Sequence, residues 1–232
     1  GHANAQHARN LRETLLSLIQ QEIENAEKGM ASRIRLKMNA LVDPDMIALL
    51  YRAARAGVRI ELNIRGICCL VPNAEGTEDR IRVISIVGRF LEHSRIFHFE
   101  NGGYPRVFLA SADWMPRNLN RRVEVMFPIL DPDHKHTILE ILDIIFKDDH
   151  NARLLGPDGT WKRLRPEGGG EGFSSQRYFR DQARKNFEQK EKERESQIVF
   201  QPAGSPNTPV LSRLIPVDHE AGERASQSDS GN

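Results

Sequence analysis

The chain has 232 residues, with 33 Lys and Arg against 32 Asp and Glu and a formal net charge of +1. That length suits one well-buried domain plus an extension, and the charge balance excludes a global basic field that would draw the protein to nucleic acid or a membrane surface. No apolar run approaches the roughly 20 residues that cross a bilayer, and two adjacent cysteines, Cys68 and Cys69, exclude a long-range disulfide framework. The pair reads as buried and inert, in a reducing, cytoplasmic setting. Gly1-His2 opens the chain without methionine, as a cleaved tag would, so a piece of a longer protein is expected.

In chain order, Leu11, Leu15, Leu16, Ile19, Ile23 and Ala26 recur at helical spacing, and Gly29 supplies a stop. Ile34, Leu36 and Met38 alternate with Arg33, Arg35, Lys37 and Asn39, which predicts a strand with one wetter face. Asp43-Pro44 opens a helix that ends at Gly57, and Val58, Ile60, Leu62 and Ile64 form a second strand. Strand, helix, strand at this spacing predicts a parallel crossover, so Arg65 lies at the carboxyl end of a strand, where open α/β sheets bind ligands. A third strand runs from Ile81 to Val87. Arg95–Phe99 and Arg106–Ala110 form a hairpin around Asn101-Gly102, which places His93 and Ser111 near one end. Val123–Leu130 reads as an apolar strand and Asp131-Pro132 opens a last core helix. The compact domain is expected over residues 1–165. Residues 166–232, with the Gly168-Gly169-Gly170 hinge, one polar helix from about Ser175 to Glu195 and a Pro/Ser/Gly-rich end, read as a flexible, low-complexity tail.

Chemistry concentrates in Glu92-His93-Ser94-Arg95, Ser111-Ala112-Asp113 and Arg117-Asn118 through Glu124. A histidine two residues from a fixed cation suits phosphoryl chemistry, the imidazole handling a proton or phosphoryl group while guanidinium balances the oxyanion. There is no lysine between Lys37 and Lys135, whereas nine arginines lie from Arg65 to Arg122. Guanidinium binds two phosphate oxygens at once and keeps its proton, so Arg65 and Arg122 are read as phosphate ligands. Arg59, Arg80, Arg82 and Arg106 are assigned to a wet sheet face. Arg95, Ser111, Asp113, Arg117, Asn118 and Glu124 are supporting groups, with Asp113 and Glu124 free to pair with Arg117, Arg122 or His93. His98, His134 and His136 receive no role, and no metal ligands are assigned, since His134-x-His136 lacks one-face helical spacing.

The His-x-Arg and Ser-Ala-Asp pattern is similar to the His-x-Lys and Gly-Ser-x-Asn-like turn of phospholipase-D-like enzymes, whose sites need two facing histidine motifs. This chain has one. Lys37-Met38-Asn39, Leu41-Val42-Asp43, Arg65-Gly66-Ile67-Cys68, Ile84 through His93, Phe99 through Gly103 and Ser111 through Asn118 together resemble the last domain of bacterial polyphosphate kinase. The resemblance runs from about Asn10 to Arg165. It implies an α/β, phospholipase-D-like mixed sheet flanked by helices. It also implies reversible transfer of the ATP terminal phosphate to inorganic polyphosphate through a phosphohistidine in a preceding domain, with Mg2+, in an oligomeric, cytoplasmic enzyme compatible with peripheral membrane association. On that resemblance His93 is the second active-site histidine, and Arg65 and Arg122 hold nucleotide phosphates. Two other classes stay open: a dimeric phosphodiesterase or nuclease, and a non-catalytic polyanion-binding or oligomerisation module.

Overall fold

The computed structural model describes residues 2–77, 79–166 and 168–197. Helix α1 (His2–Glu27) is followed by β1 (Arg33–Met38), α2 (Pro44–Arg55), β2 (Arg59–Ile64), β3 (Ile81–Ile86), β4 (Arg95–Phe99) and β5 (Arg106–Ala110). Then come α3 (Pro116–Arg121), β6 (Met126–Pro128), α4 (Pro132–Phe146), β7 (Ala152–Leu155), β8 (Trp161–Arg163) and α5 (Ser175–Gln197). All eight strands form one mixed sheet in the order β6-β5-β4-β1-β2-β3-β7-β8. The expected crossover is present: β1, β2 and β3 are parallel, with Leu36 opposite Leu62 and Leu62 opposite Val83. β4 and β7 run antiparallel to their neighbours β1 and β3.

Local chemistry explains the elements. Asp43 caps α2 by accepting the Met46 N–H, Asp131 caps α4 from His134, and each is followed by proline at the first helical position. Asn101 and Gly102 take φ of 50° and 67°, as the hairpin turn requires. One sheet face packs Ile34, Leu36, Ile60, Leu62, Phe97 and Trp114 against Leu15 and Ile19 of α1 and Met46 and Leu50 of α2. On the other, Ile84, Ile86, Ile96 and Val107 meet Leu142, Ile145 and Phe146 of α4.

Five expectations change. Arg35 and Lys37 are not a wet face: each is only 4% exposed. Alternation separates the two faces of a strand, but it does not tell solvent from a buried polar layer, and here Arg35 bonds His98 Nδ1 at 3.0 Å and Asp143 of α4. Burial, then Arg35, pushes His98 down to about 3, so this ring is a neutral acceptor. Arg82 is half-buried and donates to the Phe146 carbonyl at 3.1 Å. The strand expected at Val123–Leu130 shrinks to three residues, because it lies at a sheet edge and Val123, Val125, Phe127 and Leu130 are exposed. Cys69 is exposed, and only Cys68 is half-buried, its thiol pushed up to about 11 by burial.

The fifth concerns the boundary. Beyond α4, β7 and β8 extend the sheet, and the compact unit runs from residue 1 to 185 rather than ending at 165. Asp148 Oδ2 accepts both the Ser175 N–H at 2.8 Å and its Oγ–H at 2.7 Å, which fastens the start of α5 to the end of α4. A second unit, residues 186–232, contains the rest of α5, and the Pro/Ser/Gly-rich end beyond Gln197 lies outside the described residues.

Glu22 joins α1 to the sheet with no solvent exposure, accepting the backbone N–H groups of Arg33 and Asn101. Burial raises its pKa from 4.5 to about 7, against those two hydrogen bonds. A raised folded-state pKa means that the stability it supports is complete below pH 4.5 and is lost as pH rises through 7. Glu22→Gln carries no charge at any pH, so its stability relative to the parent chain is expected to rise across that interval. Urea unfolding at both ends checks this, and a pH-independent difference would refute it.

Candidate functional site

The strand directions bring the carboxyl ends of β1, β2, β3 and β5 and the amino ends of β4 and β7 to one edge of the sheet. β1 leads to β2 on one side, while the chain leaving β3 returns to β4 on the other, so the topology switches direction beside β1. A crevice at such a point is where open sheets bind ligands. The loops there carry Asn39 after β1, Arg65 after β2, Val87 to Ser94 between β3 and β4, and Ser111 to Asp113 after β5.

Asp113 organises this edge. Its Oδ1 accepts the Asn39 N–H at 2.8 Å, the Ala40 N–H at 3.3 Å and Arg95 Nε at 3.2 Å, while Oδ2 takes Arg95 Nη2 at 3.0 Å. Burial pulls the carboxyl pKa upward, but Arg95 and the Asn39 and Ala40 amides outweigh it and hold it below the usual aspartate value. The next residue, Trp114, is fully buried, and its carbonyl accepts the N–H groups of Val42 and Asp43, which stitches the β5 loop to the β1 loop.

Arg95 begins β4 with two nitrogens on Asp113 and Nη1 turned to His93, 3.2 Å from Nδ1 and 3.1 Å from the carbonyl. Guanidinium has hydrogens to donate and no acceptor, so Nδ1 must be the acceptor and the ring hydrogen resides on Nε2. His93 is exposed, in the loop just before β4. It therefore offers an Nε2–H donor to solvent or substrate from a ring whose other nitrogen is fixed.

Lys37, on the adjacent β1, donates to the Ser94 carbonyl at 3.2 Å and lies 3.4 Å from Glu92. Burial lowers its pKa; Glu92 opposes this, and the charges of Arg65 and Arg95 add to it, which places all three cations in one field. Arg65 is held by its backbone, N–H to the Met38 carbonyl and carbonyl to the Ser85 hydroxyl. Its Nη1 is buried with no hydrogen-bond partner among the described residues. An unsatisfied guanidinium nitrogen at a cationic sheet edge is chemically matched to an anionic oxygen.

The other expected residues form a second group. Glu124 accepts from Ser111 Oγ and from Asn118 Nδ2, and Ser111 Oγ accepts the Val125 N–H at 3.0 Å. Glu124 is thus committed to Ser111 and Asn118 rather than to Arg117, Arg122 or His93, and Asp113 to Arg95. Arg117 in α3 and Arg122 at its end are exposed, and no hydrogen bond or ion pair to a described residue ties either to His93. Lys37, Glu92 and Asn39 were not assigned roles from sequence. Their signal was their place in the motifs, Lys37 being the last lysine before the arginine-only span.

Residues 6–176 match the family model described as polyphosphate kinase C-terminal domain 2. The chain belongs to this family. It is 50% identical over 156 residues to the polyphosphate kinase of Rhodopirellula baltica, covering 67% of this chain and 18% of that protein. Against the polyphosphate kinase of Escherichia coli K12 it is 49% identical over 146 residues, 63% of this chain and 21% of the relative. The crystal structure of polyphosphate kinase from Porphyromonas gingivalis superposes with a TM-score of 0.70 at 41% identity, covering 75% of this chain and 27% of that one. The chain thus spans about a fifth of the length of the curated polyphosphate kinases it matches. No helix among the described residues is long and apolar enough to cross a membrane.

Proposed function

We propose that this domain, residues 1–165 with the start of α5, supplies one half of a polyphosphate kinase active site, which moves the terminal phosphate of ATP reversibly onto inorganic polyphosphate. The observation that carries this reading is the exposed His93, its Nδ1 held by Arg95 and its Nε2–H presented at a cationic sheet edge. A ring fixed in this tautomer is a donor rather than a nucleophile. It fits a partner for the transferring phosphoryl oxygens, with the covalent acceptor supplied by a histidine in the portion of the enzyme before this domain. There the γ-phosphorus would exchange its bond to the ADP oxygen for one to that histidine. The terminal oxygen of polyphosphate would then displace the histidine. ATP and polyphosphate both crowd negative charge, and Arg65 and Arg122 would offset it while His93, oriented by Arg95, donates.

Magnesium belongs to the nucleotide in this scheme. Among the described residues no three His, Cys, Asp or Glu side chains converge, and in phosphoryl transfer Mg2+ is commonly held largely by substrate phosphates and water. Partners on this reading are ATP or ADP, polyphosphate, the remaining domains of the same enzyme and further copies of it, in the cytoplasm.

The test is made in a full-length polyphosphate kinase carrying this domain. Arg65→Ala and Arg122→Ala are each expected to cost about 1.5–3 kcal/mol of phosphate binding, read as a raised KM for ATP with kcat less affected. Unchanged kinetics in both would reject their assignment as phosphate ligands. Hydrolysis of a generic phosphodiester by the isolated chain, with no ATP-to-polyphosphate transfer by the full enzyme, would favour the phosphodiesterase reading.

A further inference from the structure

Gln176 lies in the first turn of α5, in a helix whose sequence is almost wholly polar, yet it is only 8% exposed. Its Oε1 accepts the Phe90 N–H at 3.1 Å, and its Nε2 donates to the Phe90 carbonyl and to Glu92 Oε1, both at 2.9 Å. A primary amide pairs with both backbone groups of one residue much as a neighbouring strand does, which neither a carboxylate nor an ammonium can do. Glu92 passes the connection on through its other oxygen to Lys37, and Lys37 in turn holds the Ser94 carbonyl. Arg95 then fixes His93 at its carbonyl and ring.

The loop from Val87 to Ser94 has no regular secondary structure, and Val87, Phe90, Leu91 and His93 in it are exposed. Val87 N–H is bonded to the Asn151 carbonyl at 3.1 Å, and beyond that anchor the position of the loop depends on these side-chain struts. Gly88 gives an independent sign of how closely Gln176 approaches. A Cβ at this position would lie 2.3 Å from Gln176 Oε1 and 2.8 Å from its Cδ, so a side chain here would have to displace the Gln176 amide from Phe90. Gln176 has a firm base as well, since Asp148 caps Ser175 with one oxygen and holds the His150 and Asn151 N–H groups at 3.1 and 2.7 Å with the other.

We propose that Gln176, acting through Glu92 and Lys37, is a positioning residue that sets the His93 loop at the height needed for phosphoryl transfer. The first turn of α5, beyond the glycine hinge, is then part of the catalytic apparatus. This rests on the polyphosphate kinase reading of the site.

Gln176→Met keeps the side chain's length and removes its hydrogen bonds. In a full-length polyphosphate kinase carrying this domain, kcat is expected to fall by up to about 100-fold, as for a small misplacement of a catalytic group. The KM for ATP should change little, because the side-chain hydrogen bonds of Gln176 go to Phe90 and Glu92 and not to Arg65 or Arg122. Gln176→Glu keeps the length and polarity but cannot donate to the Phe90 carbonyl or to Glu92, so it should lose kcat as Gln176→Met does, and a Gln176→Glu enzyme of full kcat would overturn the proposal. In the present chain, amide hydrogen exchange at residues 89–94 should quicken in Gln176→Met while β1 and β2 keep their protection. Unchanged exchange in the loop overturns the proposal, as does a kcat loss that merely follows the folded fraction. If the parent enzyme shows no ATP-to-polyphosphate transfer while the loop exchange still responds, the functional reading fails and the strut itself stands.

Discussion

His93→Ala in the full-length enzyme is expected to lower kcat for ATP-to-polyphosphate transfer by about 100- to 10,000-fold, the range for removing a positioned proton donor or acceptor. The structural cost should be slight, because the ring is exposed and its described contact is with Arg95 alone. Unfolding curves should therefore overlay those of the parent while turnover collapses. His93→Gln retains an N–H donor near the Nε2 position and is expected to keep more activity than alanine. Steady-state rates of ADP formation with polyphosphate as acceptor decide the matter. Full activity in His93→Ala would remove the ring from the mechanism and leave this domain as a scaffold that binds polyanions.

Asp113→Ala should do the reverse, damaging the fold first. It leaves the largely buried Arg95 guanidinium without its counter-charge and strips the Asn39 and Ala40 N–H groups of their acceptor. Breaking one partner of a buried ion pair costs about 3–5 kcal/mol, enough to shift a denaturant midpoint plainly. Asp113→Asn keeps an oxygen for the two amides but sets an amide donor against Arg95, so an intermediate loss is expected. The folded-state pKa of Asp113 is depressed, so its contribution is present above the ordinary aspartate value of 3.8 and is lost as pH falls through the lower folded value. The gap between parent and Asp113→Ala should accordingly narrow in acid. A gap that stays constant through that range, or an unchanged midpoint at neutral pH, would show that Asp113 does not hold this edge together.

The β1-α2-β2 unit was readable because three independent signals agreed there: alternation, an Asp-Pro start and a glycine stop. Arg65 followed from that topology, since the end of a parallel strand is fixed once the crossover is recognised. His93 and Arg95 were readable by spacing. The sequence could not show that Arg95 turns one nitrogen to His93 and the others to Asp113, because that division depends on the register of β4 against β5. Arg35 and Lys37 were misread since polar residues in a period-two pattern look alike whether water or Asp143 and Glu92 faces them. β7 and β8, of four and three residues, are too short to give a periodic signal. The domain boundary was set too early for a related reason. One buried glutamine in a charged helix has no compositional trace.

The two outermost strands of the sheet, β6 and β8, have three residues each. β6 finishes at Pro128, which has no N–H to offer, and β8 carries Lys162 and Arg163, whose charges discourage a foreign strand from annealing alongside. Both flanks are thus poor templates for further β-pairing, which protects a sheet of this width against fibril-like growth.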